Sequence, residues 1–239
     1  LSAAVQLFCL VGCLVLIPLA NFPDYFLWFD ITPKVVGFLG LVGAASLLAG
    51  LGRPLVVRPN GPLTALCFAM ICSATLSTSF SYAPSLSMGG SSWRRLGLPT
   101  EVAIPLFVLL LTSILQRHTE LSKWVLRGSC FALLVSSLAV VAQFVFPEGG
   151  PGFRSSFDPL RPGGPLGSGA AFGCYAPGPV FLCLALRLGE RHRAWRILSL
   201  ASFALGFIAI ALSGTRAAMI ALVIGTVITF ALQIGRAYV

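Results

Sequence analysis

The chain has 239 residues, of which 57% are apolar and 10% charged, with a mean hydropathy of +0.93. A soluble globular domain carries about a quarter charged residues, so water-soluble, disordered, collagenous and disulfide-scaffold classes are all excluded. Sixteen Lys and Arg against seven Asp and Glu give +9. Scattered among apolar runs, that surplus points to the flanks of membrane spans and away from nucleic acid.

Taken in chain order, charge-free apolar runs predict spanning helices over about 3–20, 35–52, 62–80, 102–116, 124–146, 169–186, 197–212 and 217–235. A span needs about 20 apolar residues, so the expected fold is an all-α polytopic transmembrane bundle of about eight spans, within a range of seven to nine. The fourth run is short, with Pro105 near its start, where proline is tolerated. The stretch from Ser81 to Thr100 before it is long enough for an interfacial helix of its own. Gly37, Gly40, Gly43 and Ala44 in the second run suggest close helix packing.

Placing every charge gives the orientation. One set of loops holds Arg53, Arg58, Arg117, Lys123, Arg127, Arg187, Arg191, Arg193, Arg196 and Arg236, with only Glu120 and Glu190. Ten cations against two carboxylates make that set +8. The alternate set holds Lys34, Arg94, Arg95, Arg154, Arg161 and Arg216, with Asp24, Asp30, Glu101, Glu148 and Asp158, a net +1. The positive-inside rule puts the first set in the cytoplasm, and eight spans then put both termini there. Leu1 is preceded by neither Met nor a basic region, so the first run is expected to be a resident helix of a chain that starts upstream, and not a signal peptide. All seven cysteines fall inside apolar runs without CxxC spacing, which predicts neither a metal site nor disulfides.

Four outer-face segments could carry chemistry. The Gly/Pro-rich stretch from Phe146 to Ala170 holds Arg154 and Arg161 around Asp158 and ends in glycines that open the sixth span. Arginine forks and the backbone N–H groups of a helix start both bind anions, so this loop could hold a phosphate-bearing lipid head group. An ordinary loop touching lipid phosphates is the plainer alternative, and no Gly-Lys-Ser/Thr closes the run as in a P-loop. Ser213-Gly214-Thr215-Arg216 is a tight turn between the last two spans, with Thr215 a candidate N-cap. Arg216 lies so close to hydrocarbon that it either pairs, functions or snorkels. Trp93-Arg94-Arg95 suggests an interfacial anchor, and Asn21–Lys34 with Tyr25 and Trp28 an aromatic belt. His118 and His192 both lie in the basic loops, where neither could serve outer-face chemistry as a base. The basic run at 187–196 is accounted for as a positive-inside loop.

The Arg161 loop running into GSGAAFGCYAPGPVFLCLAL (167–186), a basic linker, a further span and then ALSGTRAAMIALVIG (211–225) together resemble the O-antigen ligase and polymerase superfamily of bacterial inner-membrane glycosyltransferases. STSFSYAPSLS (77–87) is similar to that family's outer-face turn after its third span, and Thr215-Arg216-Ala217 stands where the family has Ser-Arg-Gly/Ala. The resemblance implies a multi-pass protein of the bacterial inner membrane. It implies binding of an undecaprenyl-pyrophosphate-linked glycan on the periplasmic face, for transfer to lipid A-core, a polysaccharide or a protein. Arg161 and Arg216, with Arg154 behind them, would hold the pyrophosphate, without metal or other cofactor and without nucleic acid; membrane lipids and partner membrane proteins are the other contacts it implies. The family's later periplasmic loop, which carries a histidine base, is not in this chain. The expectation is therefore part of such an enzyme, with catalysis itself open. The alternative is a truncated, non-catalytic relative serving as a structural membrane subunit.

Overall fold

In hydrocarbon every backbone amide must find its partner inside its own segment, which leaves helix as the only form for isolated apolar runs of this length. A computed structural model describes residues 2–20, 31–51, 61–90, 97–146 and 161–237, and among these there are helices, turns and loops but no strand. Ten α-helices occur there: α1 (Ser2–Leu19), α2 (Ile31–Leu51), α3 (Gly61–Ser79), α4 (Pro84–Gly89), α5 (Leu98–Arg117), α6 (Ser122–Val145), α7 (Gly169–Tyr175), α8 (Pro177–Gly189), α9 (Arg193–Leu212) and α10 (Arg216–Ala237). Among the described residues six segments are long and apolar enough to cross a membrane, with α7 and α8 counted together, and shorter apolar stretches lie at Ala4–Leu19 and Arg216–Thr229. The protein is an all-α, multi-pass membrane protein. Its lipid-ready surfaces are visible in exposed apolar side chains such as Phe68 on α3 and Val223 and Val227 on α10.

The chain divides into two units, Leu1–Val125 and Leu126–Val239, with the boundary inside α6. In the first unit α1, α2 and α5 share a core of Leu7, Leu10, Ala45, Leu110 and Ile114, closed by Val125 at the start of α6. Phe38 and Phe107 add a tilted ring pair at 5.9 Å between α2 and α5. The glycine pattern in α2 is only partly a packing device. A Cβ at Gly37 would lie 3.0 Å from Ile17, whereas Gly40 and Gly43 face open space. A short helix does lie in the stretch from Ser81 to Thr100: α4, whose entry is tied by Ser87 Oγ donating to Ser81 Oγ at 2.6 Å. The fourth span starts earlier than its apolar run. Pro99 suits a first helical turn, so α5 begins at Leu98, Glu101 falls in that turn, and Pro105 becomes an internal, buried proline.

In the second unit Leu133 and Val140 of α6, Phe172 of α7, Val180 and Cys183 of α8, Ile210 of α9 and Leu222 of α10 form one buried cluster. Close approach depends on glycine: a Cβ at Gly206 would lie 2.9 Å from Val180 Cγ2 and 3.0 Å from Leu133 Cδ2, and one at Gly225 would overlap the Phe181 ring. The sixth predicted span lies within Gly169–Gly189, which is of membrane-crossing length as one segment. Pro177 carries no N–H and so omits one bond of the ladder, but Ala176 keeps helical dihedrals and the Val180 N–H still donates to Ala176 O at 3.0 Å, so α7 runs directly into α8.

The end of this unit where α8 meets α9 is held by charge. Arg127 donates from Nε and Nη2 to Glu190 Oε2 at 3.0 and 2.7 Å, and its guanidinium lies 5.0 Å from the Trp195 ring centroid. Glu190 Oε1 accepts the backbone N–H groups of Arg191 and His192 at 3.0 and 3.2 Å. The Arg127 guanidinium, followed by the His192 amide, holds the Glu190 carboxyl below its ordinary value of 4.5. A carboxylate with a depressed folded pKa contributes stability that is present above the unfolded value and lost as pH falls through the folded one. Arg127→Gln is therefore expected to lower resistance to denaturant in detergent at neutral pH, with the two proteins converging as the buffer is taken well below pH 4.5. Helical circular dichroism followed across that range checks it, and a gap that persists at low pH would contradict the assignment.

Candidate anion-binding site at the Arg161 and Arg216 turns

The loop entering α7 is built on glycines that have to be glycine. Gly164 adopts φ +57° and Gly167 φ +79°, a left-handed region that costs other residues about 1–2 kcal/mol. The Gly164 N–H donates to Gln143 Oε1 of α6 at 2.9 Å. A Cβ at Gly164 would lie 3.0 Å from Ser136 O and from Val140 Cγ2. Gln143 thus anchors the loop to α6. Sequence reasoning passed over this residue, although it is a lone amide in an apolar run just before the loop. Ser168 caps α7 by accepting the Ala171 N–H at 3.1 Å. That amide is satisfied within the protein.

The turn between α9 and α10 lies against this loop. Ser213 is fully buried and donates to Ile210 O at 2.8 Å. Thr215 Oγ1, 3.2 Å from Ser213 Oγ, donates across to Gly169 O at 2.8 Å. Expected as an N-cap, Thr215 thus gives its hydroxyl proton to the neighbouring loop. The backbones meet closely. A Cβ at Gly169 would lie 2.8 Å from Ser213 O and 3.3 Å from Arg161 Cβ, and one at Gly173 would lie 2.5 Å from Thr215 Cβ.

Two of the three predicted arginines are brought to this place. Gly214 takes φ +63°, and a Cβ built on it would lie 3.7 Å from Arg161 Nε. The Arg161 side chain therefore runs along the turn two residues before Arg216, the first residue of α10, and both arginines are exposed. Positive φ at Gly214 predicts that Gly214→Ala costs about 1–2 kcal/mol through the backbone alone, because the added methyl meets only ordinary contacts. Denaturant titration in detergent measures that loss. Arg154 and Asp158 lie outside the described residues, as do Arg94, Arg95 and residues 21–30 of the aromatic segment. His192 sits at the other end of α9, a helix of 20 residues and hence about 30 Å away.

Chemically, the Arg161 side chain lies along the turn at Gly214, from which Arg216 opens a 22-residue helix. Helix-start amides carry partial positive charge, and guanidinium forks suit tetrahedral oxyanions bidentately. No family model, curated protein or solved structure matches the chain.

Proposed function

We propose that the chain is part of an O-antigen-ligase-like glycosyltransferase of the bacterial inner membrane, one that binds a polyprenyl-pyrophosphate-linked glycan on the periplasmic face. In this reading eight apolar segments span the bilayer, both termini face the cytoplasm, and the Arg161 loop and the α9–α10 turn lie outside. Arg161 and Arg216 hold the pyrophosphate and stabilise the negative charge that develops as the sugar leaves. Arg154 is the third, weaker candidate for the same role. The acceptor is lipid A-core, a growing polysaccharide or a protein.

The observation that carries the reading is the convergence of Arg161 with the Ser213–Arg216 turn. The two segments are about fifty residues apart in sequence, and each independently carries the family resemblance. Their hydrogen bond from Thr215 to Gly169 gives the pair a fixed common base. The test is glycan transfer in cells that depend on the full-length protein. Alanine at either arginine abolishes transfer while leaving membrane insertion intact; normal transfer by both variants would sink the assignment.

A further inference from the structure

We infer that the turn joining α8 to α9 is a binding site for the phosphate headgroup of an anionic phospholipid. This stands apart from the glycan reading, since it concerns the opposite end of α9.

Arg187, Arg191, Arg193 and Arg196 fall within ten residues, and the last three are exposed. Among the described residues the one ion pair is Arg127–Glu190, so these four arginines have no carboxylate partner there. Glu190 is the only acidic residue in the turn, and it is already engaged. Its Oε2 takes Arg127, and its Oε1 takes the amides of Arg191 and His192. The first turn of α9 holds no acidic residue. A helix start favours negative charge, yet here two arginines occupy it. Arg193 and Arg196 at the positive end of α9, with Arg191 just before it, repel one another and the helix dipole, and Arg187 stands close by in the last turn of α8.

The geometry is held in place before any anion arrives. Glu190 clamps the two amides that set the path of the turn, and Arg127 ties that carboxylate to α6 beside Trp195. The turn also ends two apolar segments of membrane-crossing length, Gly169–Gly189 and Arg193–Leu212. Its guanidinium groups therefore stand at headgroup level, where lipid phosphate is permanently concentrated. That placement selects a lipid over a free phosphate ion. An anionic lipid, unlike a zwitterionic one, brings no ammonium group to compete with the arginines.

The test uses a protein in which Trp28, Trp93 and Trp124 are replaced by Phe, leaving Trp195 as the sole fluorophore beside the turn. It is reconstituted in vesicles of phosphatidylglycerol and phosphatidylcholine in equal shares, with bromine carried on the chains of one lipid or the other. Brominated phosphatidylglycerol is expected to quench Trp195 more strongly, with a relative affinity at least about fivefold higher, the worth of one surface arginine. Arg191→Gln with Arg193→Gln abolishes the preference, and Arg191→Lys with Arg193→Lys retains it. Glu190→Gln lowers the preference although it removes a negative charge, because it releases the clamp. Equal quenching by the two lipids, or a preference that survives the double Gln variant, would overturn the site. A preference that rises in Glu190→Gln would overturn the built geometry in favour of bulk charge. Loss of the lipid quenching on adding excess inorganic phosphate would reassign the site to a soluble ion and refute the lipid.

Discussion

Arg161→Ala and Arg216→Ala are each expected to lower glycan transfer by the full-length protein about 10²–10³-fold, the usual effect of removing one preorganised donor from a site of developing charge. The double variant is expected to fall little further. The Arg161 side chain runs along Gly214, and Arg216 follows two residues later in the same turn. Residues that hold one ligand together give strongly non-additive losses. Arg161→Lys is not a rescue, because an ammonium supplies a point charge and no planar fork. Initial rates of transfer from a labelled polyprenyl-pyrophosphate glycan, in membranes matched for protein amount, separate these outcomes. Fully additive losses would mean that the two arginines serve different steps.

Gly173→Ala should damage the same activity without touching a charge. A methyl there would stand 2.5 Å from Thr215 Cβ and 2.7 Å from its Oγ1. The α9–α10 turn must therefore move away from α7. Overpacking of this kind costs about 1–3 kcal/mol, and a displacement of about 1 Å at a positioning group can cost about 10²-fold in rate. Gly178→Ala, five residues on in α8, is the matched control, since its Cβ meets nothing within 4 Å. Helix propensity alone favours Ala over Gly by about 1 kcal/mol, so Gly178→Ala is expected to be neutral or stabilising while Gly173→Ala loses both stability and transfer. Parallel thermal unfolding and transfer assays on the two variants decide the matter. Equal behaviour would show that the approach of Gly173 to Thr215 is not what positions Arg216.

Much of the helical framework was legible from hydropathy, because the cost of an unsatisfied amide in hydrocarbon leaves helix alone for such runs. The short helix α4 was legible from the length of the 81–100 stretch, and the tight α9–α10 turn from Ser213-Gly214-Thr215 between two apolar runs. The boundaries moved where local chemistry outweighed hydropathy. Pro99 started α5 four residues early. In the site, Arg216 was visible as a charge close to hydrocarbon and Arg161 as a cation in a Gly/Pro-rich loop, and the structure adds that Arg161 and the Ser213–Arg216 turn are neighbours. The supports were not visible. Gln143 binding Gly164, and Thr215 donating to Gly169, are pairings between distant positions that no local pattern encodes. Arg127 and Glu190 were read as topology charges when counted singly, and only their juxtaposition reveals the clamp.

The bond missing at Pro177 bears on the mechanics of this span. Taken together, Gly169–Gly189 is a 21-residue segment that rises about 30 Å, the thickness of a hydrocarbon layer. A helix with an internal proline bends most readily at the turn before it. Here that turn carries Gly173, against which Thr215 packs. Any bending of the span is therefore concentrated where it presses on the Ser213–Arg216 turn.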